Sequence, residues 1–364
     1  MKTRLILVGG FLGAGKTTLL WEAAQRLAAR GLRVGLITND QAPELVDTAF
    51  LSRGEVKVAE VNGSCFCCNF QGLLNAMSSV GAAAEADVLI AEPVGSCTDL
   101  SATIIQPLKE HFRSEFVISP LSVMIDPWQL ADILEGGTAG MHPSAAYIFR
   151  KQIEEADIAV LNKTDLLTAA ELGTLKDKLA KAYPNPAIFS TSAKTGGGLD
   201  AWLKEVTGRS DAGLRIADVD YDVYAEGEAV LGWLNATILL HGAPKDWRPY
   251  ASRLLEGLSQ RFDGMGAAVG HVKLILESGD GFLIGNLTGK GNTFSIREEG
   301  TTGDEALLTV NARVEMPPGE LEKIVREQLD SAGKGRIVAK PLAWRCLSPG
   351  RPNPTHRYEQ IVAA

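Results

Sequence analysis

The chain has 364 residues, 45% of them hydrophobic and 22% charged, with a formal net charge of −8. These proportions exclude a long disordered or fibrous chain and the length allows about two domains. The acidic balance argues against nucleic acid as a partner. Five cysteines, three of them crowded, do not make the framework of a disulfide-stapled secreted protein.

The opening MKTRLILVGG has the basic start and short apolar run of a signal peptide, but it leads directly into a glycine pattern that accounts for it otherwise. No stretch approaches the length of a membrane span, so no membrane partner and a cytoplasmic location are expected. From the start to about Val206, apolar β-favouring runs alternate with helical patterns, which predicts an α/β fold on a mostly parallel sheet. Strands are expected at 4–8, 33–38, 56–61, 87–91, 116–125, 158–161 and 187–190, with helices beginning at Lys16, Phe70, Asp99, Ala145, Thr168 and Leu199. Residues 208–220, GRSDAGLRIADVD, are short of large apolar side chains and read as a linker between a first domain, 1–207, and a second, 221–364. In the second, 229–240, 271–277, 281–287, 293–297 and 306–314 read as strands, 247–262 and 318–329 as helices, and 336–344 as a final strand. That pattern predicts a smaller α+β domain with an antiparallel sheet. The proline-rich tail LSPGRPNPTHRY is expected to be irregular.

Residues 10–17, GFLGAGKT, match G-x-x-x-x-G-K-[ST] between a predicted strand and a predicted helix, the context this phosphate loop requires. Gly10, Gly13 and Gly15 let backbone N–H groups wrap phosphates at a helix N-terminus, with Ala14 and Thr18 among the binding residues. Lys16 is suited to neutralise the β/γ oxygens and the Thr17 hydroxyl to bind Mg²⁺. The strand at 158–161 ends in Asn162-Lys163-Thr164-Asp165, at the carboxyl edge where open α/β sheets bind ligands. The Asp165 carboxylate can accept two hydrogen bonds from guanine and finds no such donor pair on adenine, while Asn162 braces the loop and the Lys163 stem covers the base. Ser192-Ala193-Lys194 resembles the guanine-supporting loop of GTPases. Between these anchors, Glu92 ends an apolar strand, placed to hold Mg²⁺ or position the attacking water, and Gly95 to report the γ-phosphate. Asp40 is a further Mg²⁺ and catalytic candidate, and the loop from it to Asp47 a switch candidate. Asp126 fits equally well as a helix cap before Pro127.

The segment EVNGSCFCCNF raises a separate question, since Cys65, Cys67 and Cys68 fall within four positions. Cysteines so close make poor disulfides with one another, whereas thiolates converging from a turn suit a soft ion. Zinc is the default, and a closed site needs a fourth ligand, so three cysteines imply an open position or a ligand from elsewhere. Core packing and a redox sensor are the other readings. Cys97, soon after Glu92, is a candidate to supplement the cluster, but a single cysteine after a strand is more often packing, and the same caution applies to Cys346, His356 and His271.

Taken together, GGFLGAGKTT, E-x-x-G-S-C-F-C-C, E-P-V-G and N-K-T-D resemble the CobW-like family of P-loop GTPases over about the first 205 residues. The resemblance implies a P-loop NTPase of the SIMIBI type, with helices on both faces of the sheet, related to the nickel-insertion GTPases of urease and hydrogenase. It implies GTP and GDP as ligands, Mg²⁺ as cofactor, and a metallochaperone or metal-insertion role for zinc, cobalt or a related ion. The family's C-x-C-C falls on Cys65, Cys67 and Cys68. Ser64 stands where the family commonly has a second glycine, NDQAPELVDT replaces its usual Asn-Glu-Phe-Gly form, and no histidine-rich loading segment is present. The second domain is also longer than usual for the family.

The leading expectation is therefore a GTPase that hydrolyses GTP and couples nucleotide state to delivery of a transition metal to a client metalloenzyme or cofactor-assembly protein, with a homodimer as a possible assembly. The alternative is a regulatory GTPase that gates assembly or cofactor loading of a partner, a corrinoid enzyme being one guess, with the cysteines structural. An ATP-dependent kinase would need a phosphoryl-acceptor site for which no residues are found.

Overall fold

The computed structural model describes residues 2–39, 56–61, 64–242, 246–279, 281–288 and 293–363. Its first part is a wholly parallel sheet in the order β3-β2-β4-β1-β6-β7-β8, with β5 beside β1. The strands are β1 Thr3–Gly10, β2 Val34–Asn39, β3 Lys57–Val61, β4 Val88–Glu92, β5 Phe116–Ile118, β6 Ser122–Ile125, β7 Ile158–Leu161 and β8 Ala187–Ser190. Several are buried along their whole length, β2, β4, β6 and β7 among them, as expected of a sheet covered on both faces. Helix α1, Lys16–Ala29, follows β1; α2, Phe70–Ala84, follows β3; and α3, Gln106–His111, follows β4 after one π-helical turn at Ser101–Ile105. Further on come α4 Pro127–Leu134, α5 Pro143–Glu155, α6 Ala169–Ala182 and α7 Leu199–Gly208. β1 sits between β4 and β6, and the phosphate loop leaves its carboxyl end there, at the point where the order of strands reverses.

The expected strand over 116–125 is two strands. β5 pairs with the start of β1 and β6 with its end, and Ser119-Pro120-Leu121 separates them. Pro120 has no N–H for a ladder, and the Ser119 hydroxyl turns away to donate to Val206 O at 2.5 Å. The helix expected from Asp99 starts later, because Asp99 takes a left-handed φ of 64° and the π turn follows.

The second part is an antiparallel sheet in the order β12-β11-β10-β13-β9-β14. Its strands are β9 Leu231–His241, β10 Val269–Ser278, β11 Gly281–Thr288, β12 Thr293–Glu299, β13 Glu305–Glu315 and β14 Val338–Leu347. Leu254, Leu258 and Phe262 of α9 (Arg248–Met265) and Leu321, Ile324 and Val325 of α10 (Pro318–Gly333) share one core with this sheet's Leu234, Leu274 and Val310. Helix α8, Tyr221–Ala229, is capped by Asp220, which accepts from Asp222 N and Val223 N. It packs on α5 so closely that a side chain at Gly227 would strike Ser144 O at 2.5 Å, and Tyr224 joins the core of the first sheet. Among the described residues no helix is long and apolar enough to cross a membrane.

Candidate functional site

The phosphate loop is shaped by backbone that only glycine adopts without strain. Gly10 has φ 128°, and a Cβ there would lie 2.3 Å from Met124 O on β6; Gly15 has φ 93°, and a Cβ would lie 2.6 Å from Asn162 Nδ2. Gly15 stands at the N-terminus of α1, whose first residues Lys16 and Thr17 are buried. The Lys16 ammonium donates to Gly10 O at 2.8 Å and Phe11 O at 3.2 Å, so it folds over the loop it belongs to. The Thr17 hydroxyl donates to the Glu92 carboxylate at 3.2 and 3.3 Å. Hydroxyl and carboxylate oxygens converging in this way fit a hard cation such as Mg²⁺. Gly95 closes the group, since a Cβ on it would come within 2.9 Å of Lys16 Nζ. Lys16, Thr17, Glu92 and Gly95, far apart in sequence, thus line one site. Asp40 and the switch candidate that runs to Asp47 lie outside the described residues.

Asn162 is a brace. Its Nδ2 donates to Ala14 O at 2.8 Å, while its Oδ1 accepts from Ala193 N at 2.9 Å and Thr191 Oγ1 at 3.2 Å, tying the loops after β1, β7 and β8 together. Asp165 Oδ1 accepts from Ser192 Oγ at 2.6 Å, so the two base-recognition loops are joined by their own side chains. Lys163 has φ 55° and pairs with Asp126 Oδ2 at 2.7 Å. Asp126 does two things at once, because its Oδ1 also caps α4 by accepting from Trp128 N at 2.8 Å and Gln129 N at 3.1 Å. A cleft of about 890 Å³ opens beside this edge, lined by Gly13, Asp126 and Lys163 on one side and Gly270 and Thr288 of the second sheet on the other.

Cys65, Cys67 and Cys68 lie on the turn that leads into α2, where Asn69 accepts from Gly72 N as the cap. Their sulfurs all fall within 4.8 Å of one another, with Cys65 Sγ to Cys67 Sγ at 3.0 Å and Cys67 Sγ to Cys68 Sγ at 3.8 Å. Three converging soft donors beside a helix N-terminus, which favours thiolate, fit a thiophilic metal ion. Hydrogen bonds from the neighbouring thiols of Cys67, Cys68 and Cys97 hold the Cys65 thiol well below the usual range despite its burial. The bond to Cys65 in turn pushes Cys67 up, and the same bond with burial pushes Cys68 up to about 11, so the cluster favours one thiolate among protonated neighbours. A buried carboxyl lies close by. Glu228 of α8 accepts from Ser96 Oγ at 2.5 Å, its other oxygen has no hydrogen-bond partner, and burial followed by the Cys65 charge pushes it up to about 8.

Several residues to which sequence reasoning gave no role in the site are part of this region. Asn39, at the end of β2, donates to Val61 O and Ser64 O, both at 2.9 Å, and accepts from Phe66 N at 2.8 Å. Lys273 of β10 donates to Thr17 Oγ1 at 3.2 Å, carrying a cation from the second sheet into the phosphate site. Two residues earlier in β10, His271 has its pKa well below the usual value, through burial first and then the charges of Lys273, Arg313 and Lys16. The tail runs back over the cysteines: Asn353 N donates to Cys68 Sγ at 3.2 Å, Thr355 N to Cys67 O at 2.8 Å, and the His356 ring meets Phe70 edge-on at 5.1 Å. The only sequence signal for Lys273 was the H-V-K spacing, which puts His271 and Lys273 on one face of a strand. For the tail there was none.

A parallel sheet with a phosphate loop at the strand-order reversal, Thr17 against Glu92 and a braced Asn162–Asp165 loop defines a P-loop nucleotide-binding protein. More specifically, the family model described as "CobW/HypB/UreG, nucleotide-binding domain" matches residues 4–190, and the chain belongs to that family. It is 23% identical over 220 residues to the zinc-regulated GTPase metalloprotein activator 1 of Dictyostelium discoideum, covering 52% of this chain and 46% of that one. It is 28% identical over 203 residues to the zinc chaperone CobW of a Sinorhizobium species, covering 48% and 54%. The zinc chaperone CobW of Pseudomonas aeruginosa is similar at 24% over 212 residues, covering 50% and 54%. The chain spans about half the length of these curated relatives.

Proposed function

We propose that this chain is a Mg²⁺-dependent GTPase that couples its nucleotide state to the capture and release of a transition metal, zinc or cobalt, for a client metalloenzyme in the cytoplasm. Residues 1–207 form the nucleotide-binding domain in this reading, and 221–364 a second domain that contributes Lys273 to it. Lys16 and Gly95 serve the phosphates, Thr17 and Glu92 hold Mg²⁺ together with Asp40, and Asp165 reads guanine with Asn162, Lys163, Ser192 and Ala193 in support. Cys65, Cys67 and Cys68 hold the transition metal.

The observation that carries the coupling is Asn39. Its side chain makes three hydrogen bonds to the backbone of residues 61–66, so the strand end that leads into the switch candidate also holds the cysteine turn. Nucleotide contacts that order a switch therefore have a direct path to the thiolates. Reciprocity requires bound metal to change GTP affinity by the same factor. The test is a zinc titration of the full chain with Mg²⁺ and either a non-hydrolysable GTP analogue or GDP. Different affinities in the two states are expected, and equal affinities would remove the coupling.

The burial of Cys65 and Cys67, each 2% exposed, favours a second reading, a regulatory GTPase with structural cysteines that gates loading of a partner. Replacing all three cysteines with alanine separates the two. Unchanged metal content and unchanged client activation would favour the second reading.

A further inference from the structure

Two lysines from different parts of the chain converge on the phosphate site. Lys16 belongs to the loop itself, whereas Lys273 comes from β10 of the second sheet and donates to Thr17 Oγ1 at 3.2 Å. The strand is fitted to this place. Its pairing with β13 shifts register between Val269 and His271, and Gly270, at that irregularity, lies directly on the phosphate loop. A Cβ on Gly270 would come within 2.8 Å of Leu12 Cδ1, and a Cβ on Gly13 within 3.1 Å of Gly270 O. Bulges beside active sites re-aim the side chains that follow them. Here Val272 and Leu274 join the core beneath α9 and α10, so His271 and Lys273 stand on the opposite face of the sheet. Arg313, opposite His271 in the ladder and stacked on the Trp233 ring at 4.4 Å, adds a further cation to that face.

We propose that Lys273 is a ligand of the γ-phosphate: with GTP bound, its ammonium turns from Thr17 Oγ1 to an oxygen of the terminal phosphate, and through it the second sheet distinguishes GTP from GDP. The inference rests on the GTP-binding reading above and deepens it. The hydroxyl that ends a phosphate loop serves the β/γ end of the nucleotide, as the loop lysine does. An ammonium 3.2 Å from Thr17 Oγ1 is therefore at that end of the site. Lysine suits the task, because three donors on a flexible stem can reach from a hydroxyl to a phosphate oxygen without a change in the strand. Positive charge gathers there from both parts of the chain: the His271 ring is held neutral by burial and then by the charges of Lys273, Arg313 and Lys16. GDP lacks the phosphate that Lys273 would take, so in that state the bond to Thr17 stays. Because β10 already rests on Leu12 and Gly13, GTP tightens an existing contact between the second sheet and the phosphate loop.

The test uses the full chain with saturating Mg²⁺ and either GDP or a non-hydrolysable GTP analogue, and reads affinity. Lys273→Met keeps an apolar stem and removes the charge. It should weaken the analogue by about 10–100-fold, the worth of a hydrogen bond to a charged group, and GDP by less than about threefold. Lys323→Met, at an exposed position on α10, should change neither. In the wild type, amine labelling of Lys273, followed site by site by mass spectrometry, should be lost when the analogue replaces GDP. Equal weakening of both nucleotides in Lys273→Met, or none, would overturn the inference. Equal labelling of Lys273 in the two states would overturn it as well, and that measurement needs no variant to fold. A wild type that binds no guanine nucleotide would overturn this inference and the GTPase reading together, whereas equal zinc affinity in the two states would remove only the metal coupling.

Discussion

Removing the Asn39 side chain tests the link between nucleotide and metal most directly. Asn39 is 7% exposed, and Asn39→Ala deprives Val61 O, Ser64 O and Phe66 N of their partner in one step. Each such bond contributes about 1 kcal/mol net, and a buried group left unpaired costs about 1–3 kcal/mol, so a loss of about 2–4 kcal/mol in stability is expected once water reaches part of the site. Asn39→Asp is expected to be no milder. It keeps an acceptor for Phe66 N but turns a carboxylate toward two carbonyl oxygens that had a donor. Urea unfolding reads the first effect as a shift of midpoint at unchanged slope. The second effect is read from zinc affinity with the GTP analogue and with GDP. A coupling of typical size, about 1–3 kcal/mol, should shrink toward zero in Asn39→Ala, since the turn no longer follows the end of β2. A stability change below about 0.5 kcal/mol, or a coupling equal to that of the wild type, would refute the reasoning.

Asp165→Asn should weaken GTP by about 1.5–3 kcal/mol, the worth of a hydrogen bond to a charged group, and erode the preference over ATP; unchanged competition between the two nucleotides would return the kinase reading. Lys273→Met removes a cation that shares the Thr17 hydroxyl with Glu92, so half-maximal GTP hydrolysis should need about fivefold less Mg²⁺, on the order of 1 kcal/mol of relieved repulsion, and an unchanged Mg²⁺ requirement would count against the contact. Glu228, pushed up to about 8 from an ordinary 4.5 by burial and then by Cys65, holds a proton in the folded chain that the unfolded chain releases. Its contribution to stability is present below about 4.5 and is lost as pH rises through about 8, at up to about 1.4 kcal/mol per pH unit. Glu155, raised to about 8 by burial and then Asp99, behaves alike, so Glu228→Gln should remove about half of the decline measured between about pH 6 and 8, and an undiminished slope would show that Glu228 is already ionised. Ending the chain at Gly350 removes the Asn353 and Thr355 contacts to the cysteine turn. Zinc should then pass to a chelator about tenfold faster, one lost bond of about 1.4 kcal/mol being enough, whereas an unchanged transfer rate would mean the tail does not cover the site.

The parts of the site that were legible in the sequence are those whose chemistry is local. The phosphate loop announces itself within eight residues, because Gly10 and Gly15 need φ values that other residues avoid, and Asn162 to Asp165 sit together on one short loop after β7. The strand alternation likewise gave nearly every β-strand of the first sheet to within a residue or two, with Phe116–Ile118 and Ser122–Ile125 merged because Pro120 was read as part of an apolar run. Helix α8 was missed for a physical reason. It buries only Tyr224, Gly227 and Glu228, and so shows little apolar periodicity. Asn39 and Lys273 were illegible in a different sense. Asn39 acts on a partner 22 residues away and Lys273 on one 256 away, and nothing in its own neighbourhood distinguishes either from an ordinary strand end or a solvated lysine.

The tail decides how such distant parts can move. It holds the cysteine turn through Thr355, bonded to Cys67 O and Cys68 O, and it holds the segment after β4 through Arg357 to Asp99 at 2.7 Å and Tyr358 N to Ala102 O at 3.1 Å. On the proposed reading the first of those segments carries the three metal-binding thiolates of Cys65, Cys67 and Cys68. Any nucleotide-driven change that separates the two segments must therefore break tail contacts. Several of these contacts are exposed or half-exposed, and each contributes about 1 kcal/mol or less. A clasp made of a few weak bonds adds only a few kcal/mol to the closed state, which is the size of gap that a nucleotide's differential affinity can overcome. A tail fixed by a large apolar interface would lock the site, and no tail would leave Cys68 open to solvent. The polar, proline-rich segment lies between those limits, so on the proposed reading metal retention and metal release are both within reach of the same nucleotide change.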